Sequence, residues 1–206
     1  MNAASKLTIA ILISILAILS IYFGSYLPIQ KSRIYIEAMR MAQARKIRNV
    51  QELNNVFDRV FGFYSPVGQD EIISGYVNLM LNTISQQNDR RVVDALIKEV
   101  EKNTDYLIKT KRKGFNVGQT IYSVGLLYKI EAAKFNDPVF YKKSEEILNE
   151  GLELSPNRAA FLYTLFELYL GGKDKGKVIE TGEKILKYWP EDKEVEVIVG
   201  TLKSQK

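Results

Sequence analysis

The sequence predicts an all-α protein, one N-terminal transmembrane helix followed by antiparallel helix pairs, on three observations. Residues 7–30 (LTIAILISILAILSIYFGSYLPIQ) carry no charge and are bounded by Lys6 and Lys31. Beyond them apolar residues recur at helical spacing, and almost no stretch alternates with the period of two that a half-buried strand needs. Proline, glycine and asparagine break that pattern at short intervals, as connections between neighbouring helices do.

Residues 1–6 form a short polar tail and residues 7–30 the span, since 24 residues at about 1.5 Å each exceed a hydrocarbon core of about 30 Å. A cleaved signal peptide would have a shorter apolar core and a small-x-small exit, whereas this exit reads SIYFGSYLP. A core helix of a soluble domain would show a polar face, and here only Thr8, Ser14 and Ser20 interrupt the aliphatic run. Spanning is the expected reading, with Tyr22, Phe23 and Tyr26 at the exit, where amphipathic rings suit the headgroup level.

Residues 31–49 are expected to form a basic juxtamembrane helix. The first 48 residues hold seven Lys or Arg against one acid, whereas the remainder holds 22 basic and 23 acidic residues. The net charge of +5 and the pI near 9.2 thus belong to the edges of the span rather than to a nucleic-acid surface. Lys31, Arg33, Arg40, Arg45, Lys46 and Arg48 are the expected membrane-surface residues, each worth about 1 kcal/mol against anionic headgroups. A solvated helix face is the plainer alternative. These six positive residues against Lys6 and the amino terminus favour a cytoplasmic C-terminal domain. The short tail ahead of the span is typical of anchors that export the domain behind them, leaving an extracytoplasmic domain as the alternative.

Residues 50–124 read as helical hairpins. Val50, Leu53, Val56, Phe57, Val60 and Phe61 mark one helix face, Ile72, Ile73, Tyr76, Val77, Met80 and Ile84 a second, and Val92, Val93, Leu96, Ile97 and Val100 a third. Asp70 or Asp89 is expected to cap the helix next to it.

Residues 125–206 contain a period. Pro156 and Pro190 each close a helix and lie 34 residues apart. Residues 125–158 place Tyr128, Ala132, Phe135, Ser144, Leu148, Gly151 and Pro156 in an order of large, small and proline positions that resembles the tetratricopeptide (TPR) repeat. In residues 159–192 Leu165, Tyr169, Asp174 and Pro190 fit, whereas Phe166, Val178, Gly182 and Ile185 depart from the expected small, small, aromatic and small residues. The resemblance implies two degenerate repeats in a TPR-like α-solenoid, closed by a capping helix over residues 192–202. It also implies a concave groove faced by Leu126, Lys129, Ala133 and Asn136 from the first unit and Ala160, Tyr163, Glu167 and Leu170 from the second. Lys129 matches the lysine of a carboxylate clamp in some members of that family, but Ala133 stands where the clamp has asparagine.

The order span, Pro28, Ser32-Arg33, helix, Phe57, Gly68, Glu71 also resembles the helical tail of O-antigen ligase-like proteins. Their chemistry resides in a multi-span portion for which this chain has no counterpart. That resemblance implies an accessory or tail module of cell-envelope glycan assembly, with no catalytic residue carried over.

There is no histidine and no cysteine, which removes the commonest general base, the usual metal ligands and thiol chemistry. No phosphate-cradling glycine loop or nucleophile elbow occurs, and Glu145-Glu146 and Glu194-Glu196 fall on Lys-rich helices where solvated faces suffice. The basic run at 109–114 fits a helix C-terminus meeting its dipole, with a phosphate or headgroup contact as the alternative. The expected function is therefore a membrane-anchored helical-repeat scaffold for protein–protein interaction at the membrane surface. It is not an enzyme and needs no cofactor, no metal and no nucleic acid; its partners are the lipid bilayer and a protein. Glycan-assembly tail and carboxylate-only enzyme are the competing readings.

Overall fold

The structure, a computed structural model, describes residues 3–44, 49–110 and 114–204. All regular structure among the described residues is helical. The chain divides into two compact units, Met1–Ile72 and Ile73–Lys206.

In the first unit α1 (Ala3–Ile21), a π-helical turn (Tyr22–Tyr26) and α2 (Leu27–Gln43) form one unbroken helix. The wide turn has a cause in Pro28, which supplies no N–H and whose ring would press on the carbonyl of Gly24 one turn back. Among the described residues one helix, Ser5–Gln43, is long and apolar enough to cross a membrane, and none of its most apolar window is covered by protein. Leu7, Leu12, Leu16 and Ile18 are all more than half exposed. The Ser14 hydroxyl, one of the few polar groups there, donates back to the Ala10 carbonyl at 2.9 Å, so the helix satisfies it internally.

From Leu27 onward the same helix acquires a protein neighbour. Leu27, Lys31 and Ala38, spaced at one and two turns, face α3 (Val50–Gly62), which buries Leu53, Phe57 and Val60 in return. The expected break at residue 31 is thus a change of surroundings within one helix. Lys31 itself, expected at the membrane surface, is buried: its ammonium donates to the Phe63 carbonyl at 2.8 Å and to the Gln69 side-chain oxygen. Position 31 falls on the inner stripe, and the Lys31 ammonium satisfies a carbonyl just past the end of α3, where cations are favoured. At the other end of α3 the Asn49 side chain accepts the Glu52 amide at 2.9 Å.

Helix α4 (Gln69–Gln86) starts directly after Gly68, whose φ of 87° few other residues tolerate. Asp70 therefore lies inside the first turn and does not cap it; it still complements the positive end of the dipole. Asp89 does cap α5 (Arg90–Thr110), accepting the Arg91 amide at 2.9 Å.

The second unit continues with α6 (Phe115–Phe135), α7 (Pro138–Leu154), α8 (Ala159–Gly171), α9 (Lys175–Tyr188) and α10 (Lys193–Ser204). From α5 to α10 each helix packs on the next, and α6 also touches α8. Helix α6 starts at Phe115, so it runs straight across residue 125, where the first repeat-like segment begins. Two close approaches lock the later helices. A side chain at Gly151 would collide with the ring of Phe161, and one at Gly182 would collide with Val199 and press on Phe166. The large Phe166 and the absent side chain of Gly182, both departures from the repeat pattern, thus compensate each other. Polar ties reinforce the packing: Tyr128 donates to Glu101 at 2.8 Å and stacks on Phe140, and Ser144 donates to the Gly125 carbonyl at 2.8 Å.

Candidate functional site

Inside the second unit one end of α6 and one end of α8 border an open cleft of about 710 Å³. Its α6 wall carries Lys129, Ala132, Ala133 and Asn136, and its α8 wall Glu167 and Leu168. The rim comes from two turns. Asn136 adopts a left-handed conformation (φ 49°) that ends α6, and its neighbour Asp137 caps α7 by accepting the Val139 amide at 2.8 Å. Gly171 and Gly172 end α8, and a side chain at Gly172 would collide with the Tyr141 ring as it stands. Lys173, also left-handed at φ 57°, then leads into Asp174, the cap of α9.

The charges around the cleft are arranged in pairs. Lys129 reaches across it to the Glu167 carboxylate. Arg90 binds Asp137 and Asp94 and lies 5.0 Å from the Phe135 ring, and this guanidinium holds the Asp137 carboxyl below its ordinary range. Lys177 bridges Glu145 and Asp174, and its hydrogen bond to Glu145 raises its pKa. Tyr141 is pushed up, first by burial and then by the nearby Glu145 charge. Behind this wall lies Glu131, fully buried with no hydrogen bond to either carboxylate oxygen and Lys134 at 4.0 Å. Burial drives its pKa upward against the pull of Lys134 and Arg90. Lys134 is itself committed, since it donates to the Ile84, Ser85 and Gln87 carbonyls at the end of α4.

Of the eight residues expected to face a partner groove, the structure brings Lys129, Ala133, Asn136 and Glu167 together at this cleft. Leu126 and Ala160 are half-buried, and neither is among the residues that line it. Tyr163 turns toward the end of the unit: its hydroxyl donates to Asp192 and its ring lies 5.8 Å from Trp189. Burial and the Asp192 bond push Tyr163 up to about 12. Leu170 is 37% exposed and lies outside the lining. Pro138, Tyr141, Asp174 and the glycine pair were not expected at the site. Gly171-Gly172 carries a sequence signal as a turn and Asp174 one as a repeat position, but neither marks which turn borders a cleft.

Of the basic residues expected at the membrane, Arg33 and Arg40 are exposed and Lys31 is buried, while Arg45, Lys46 and Arg48 lie outside the described residues. Lys111, Arg112 and Lys113 of the second basic run also lie outside them. Among the described residues no group of His, Cys, Asp or Glu is placed to hold a metal ion. Comparison with family models, with curated proteins and with solved structures returns no match to this chain.

Proposed function

We propose that the protein is a single-pass membrane anchor carrying a helical-repeat scaffold, and that the cleft bordered by α6 and α8 receives a segment of a partner protein. The cleft is the observation that carries this reading. It is open, large enough for several side chains, floored by Ala132, Ala133 and Leu168, and rimmed by polar groups that fix direction. The pairwise packing of α5 to α10, with α6 touching α8, favours a TPR-like stack over an unrelated helical bundle. The unbroken helix from α1 into α2 favours a retained anchor over a cleaved leader, because removal at the span exit would cut a helix whose continuation is packed on α3. The excess of positive residues after the span supports the cytoplasmic side for the second unit over the extracytoplasmic alternative.

Photo-crosslinking tests the cleft. A crosslinking amino acid at Ala133, which lines it, should give discrete adducts in native membranes, and one at Val197, exposed on α10, should not. Equal, diffuse labelling at both positions would count against the scaffold reading. Protease access to the second unit in intact cells against inverted vesicles tests the orientation, and cleavage in intact cells would reverse it.

A further inference from the structure

Helix α3 runs back along α2, and this return brings an uncharged loop to the level at which the span ends. Residues 60–69 (VFGFYSPVGQ) hold no charge between Arg59 and Asp70. Within them Tyr64 is 66% exposed and Val67 58%, and Pro66 is exposed between them. Three exposed apolar side chains within four residues, at one loop tip with no charge around them, make the kind of contiguous patch that marks a contact surface. The position of this tip along α2 is fixed by a hydrogen bond, since the Lys31 ammonium donates to the Phe63 carbonyl at 2.8 Å and to Gln69. Lys31 lies five residues beyond Tyr26, a rise of about 7.5 Å, so the loop sits about one headgroup layer from the exposed ring of Tyr26, the last of the three exit aromatics. The loop is also shaped. The Ser65 hydroxyl donates to the Val67 carbonyl at 2.8 Å, and the left-handed Gly68 turns the chain into α4.

We propose that the loop of residues 63–68 is a second membrane contact, in which Tyr64, Pro66 and Val67 enter the interface between headgroups and acyl chains beside the exit of the span. Tyr64 suits that depth, with an apolar ring and a hydroxyl that stays among the headgroups. Lys31 then serves as the strut that holds the loop at this height, which accounts for a lysine turned inward at the end of an apolar run. Two contacts on one face fix the tilt and rotation of α2 against the bilayer, which a single span leaves free.

This inference rests on the anchor reading, and the test separates the two. The chain has no cysteine, so single cysteines report one position each. Full-length Tyr64→Cys, Val67→Cys, Ile13→Cys and Gln51→Cys proteins are labelled with an environment-sensitive fluorophore and reconstituted into phosphatidylcholine–phosphatidylglycerol vesicles. Lipids brominated high on the acyl chain should quench the probes at 64 and 67, and deep bromines the probe at 13, while the probe at 51 keeps its emission. Quenching at 13 with probes at 64 and 67 behaving like that at 51 overturns the loop contact and leaves the anchor standing. No quenching at 13 overturns the anchor and the loop with it.

Discussion

Helices α1 and α8 are made of nearly the same material and meet opposite fates. α1 reads AASKLTIAILISILAILSI and α8 reads AAFLYTLFELYLG, both apolar almost all round. Every large side chain described in α1 is exposed, whereas α8 buries Phe161, Leu162, Leu165, Phe166, Leu168 and Tyr169 against its neighbours. Length separates them. The 13 residues of α8 span about 20 Å, too little for a bilayer, and the chain supplies α6, α7 and α9 to cover it. The helix that contains α1 runs on past any bilayer thickness, and nothing among the described residues covers its apolar part. Composition alone therefore does not decide whether an apolar helix is meant for lipid or for a core; the presence of complementary neighbours does.

Mutations can sharpen or break that contrast. Phe161→Ala empties the site opposite Gly151 and should cost the second unit about 3–5 kcal/mol in chemical denaturation, while Leu12→Ala in α1 should leave that transition unmoved. Equal effects would mean that α1 belongs to a core after all. Ile15→Arg should cost about 3–4 kcal/mol of membrane insertion, read as a lower inserted fraction in an insertion assay. An unchanged fraction would argue that α1 does not cross.

A smaller effect concerns Glu131, buried and without hydrogen bonds behind the cleft. Its folded pKa is raised, so its share of stability is complete below the unfolded carboxyl value of about 4.3 and is lost as pH rises toward the folded value. Glu131→Gln should flatten that decline and raise stability near neutrality, measured as denaturation midpoint against pH. The smallest effect falls on the Lys129–Glu167 pair, whose carboxylate side chain is 61% exposed. Glu167→Gln should change stability by less than about 1 kcal/mol, yet alter crosslinking at the cleft if the pair contacts the partner segment.

Much of the helical layout was legible because burial repeats with the period of a helix. The set from Ile72 to Ile84 is buried as its spacing required, and so are Val93, Leu96, Ile97 and Val100, with Val92 only half-buried; Asp89 caps as a short acceptor before an amide-rich first turn should. The misses share a physical origin in tertiary placement. Asp70 has the chemistry of a cap, but Gly68 turns the chain early enough to start the helix before it. Lys31 has the chemistry of a surface charge, and only the return of α3 offers it the Phe63 carbonyl. At the cleft, Lys129, Asn136 and Glu167 are reached by the repeat spacing, whereas Tyr141, in the first turn of α7, and Asp174, the cap of α9, are aimed there by the turns ahead of them, whose left-handed residues, Asn136 and Lys173, carry no sequence signature strong enough to fix that direction.

The contrast between α1 and α8 is tested most directly by alkaline carbonate extraction of membranes from cells making the full-length chain. A helix left bare for lipid keeps the protein in the membrane pellet, with release by the Ile15→Arg substitution. Full-length protein recovered in the carbonate supernatant would contradict the account.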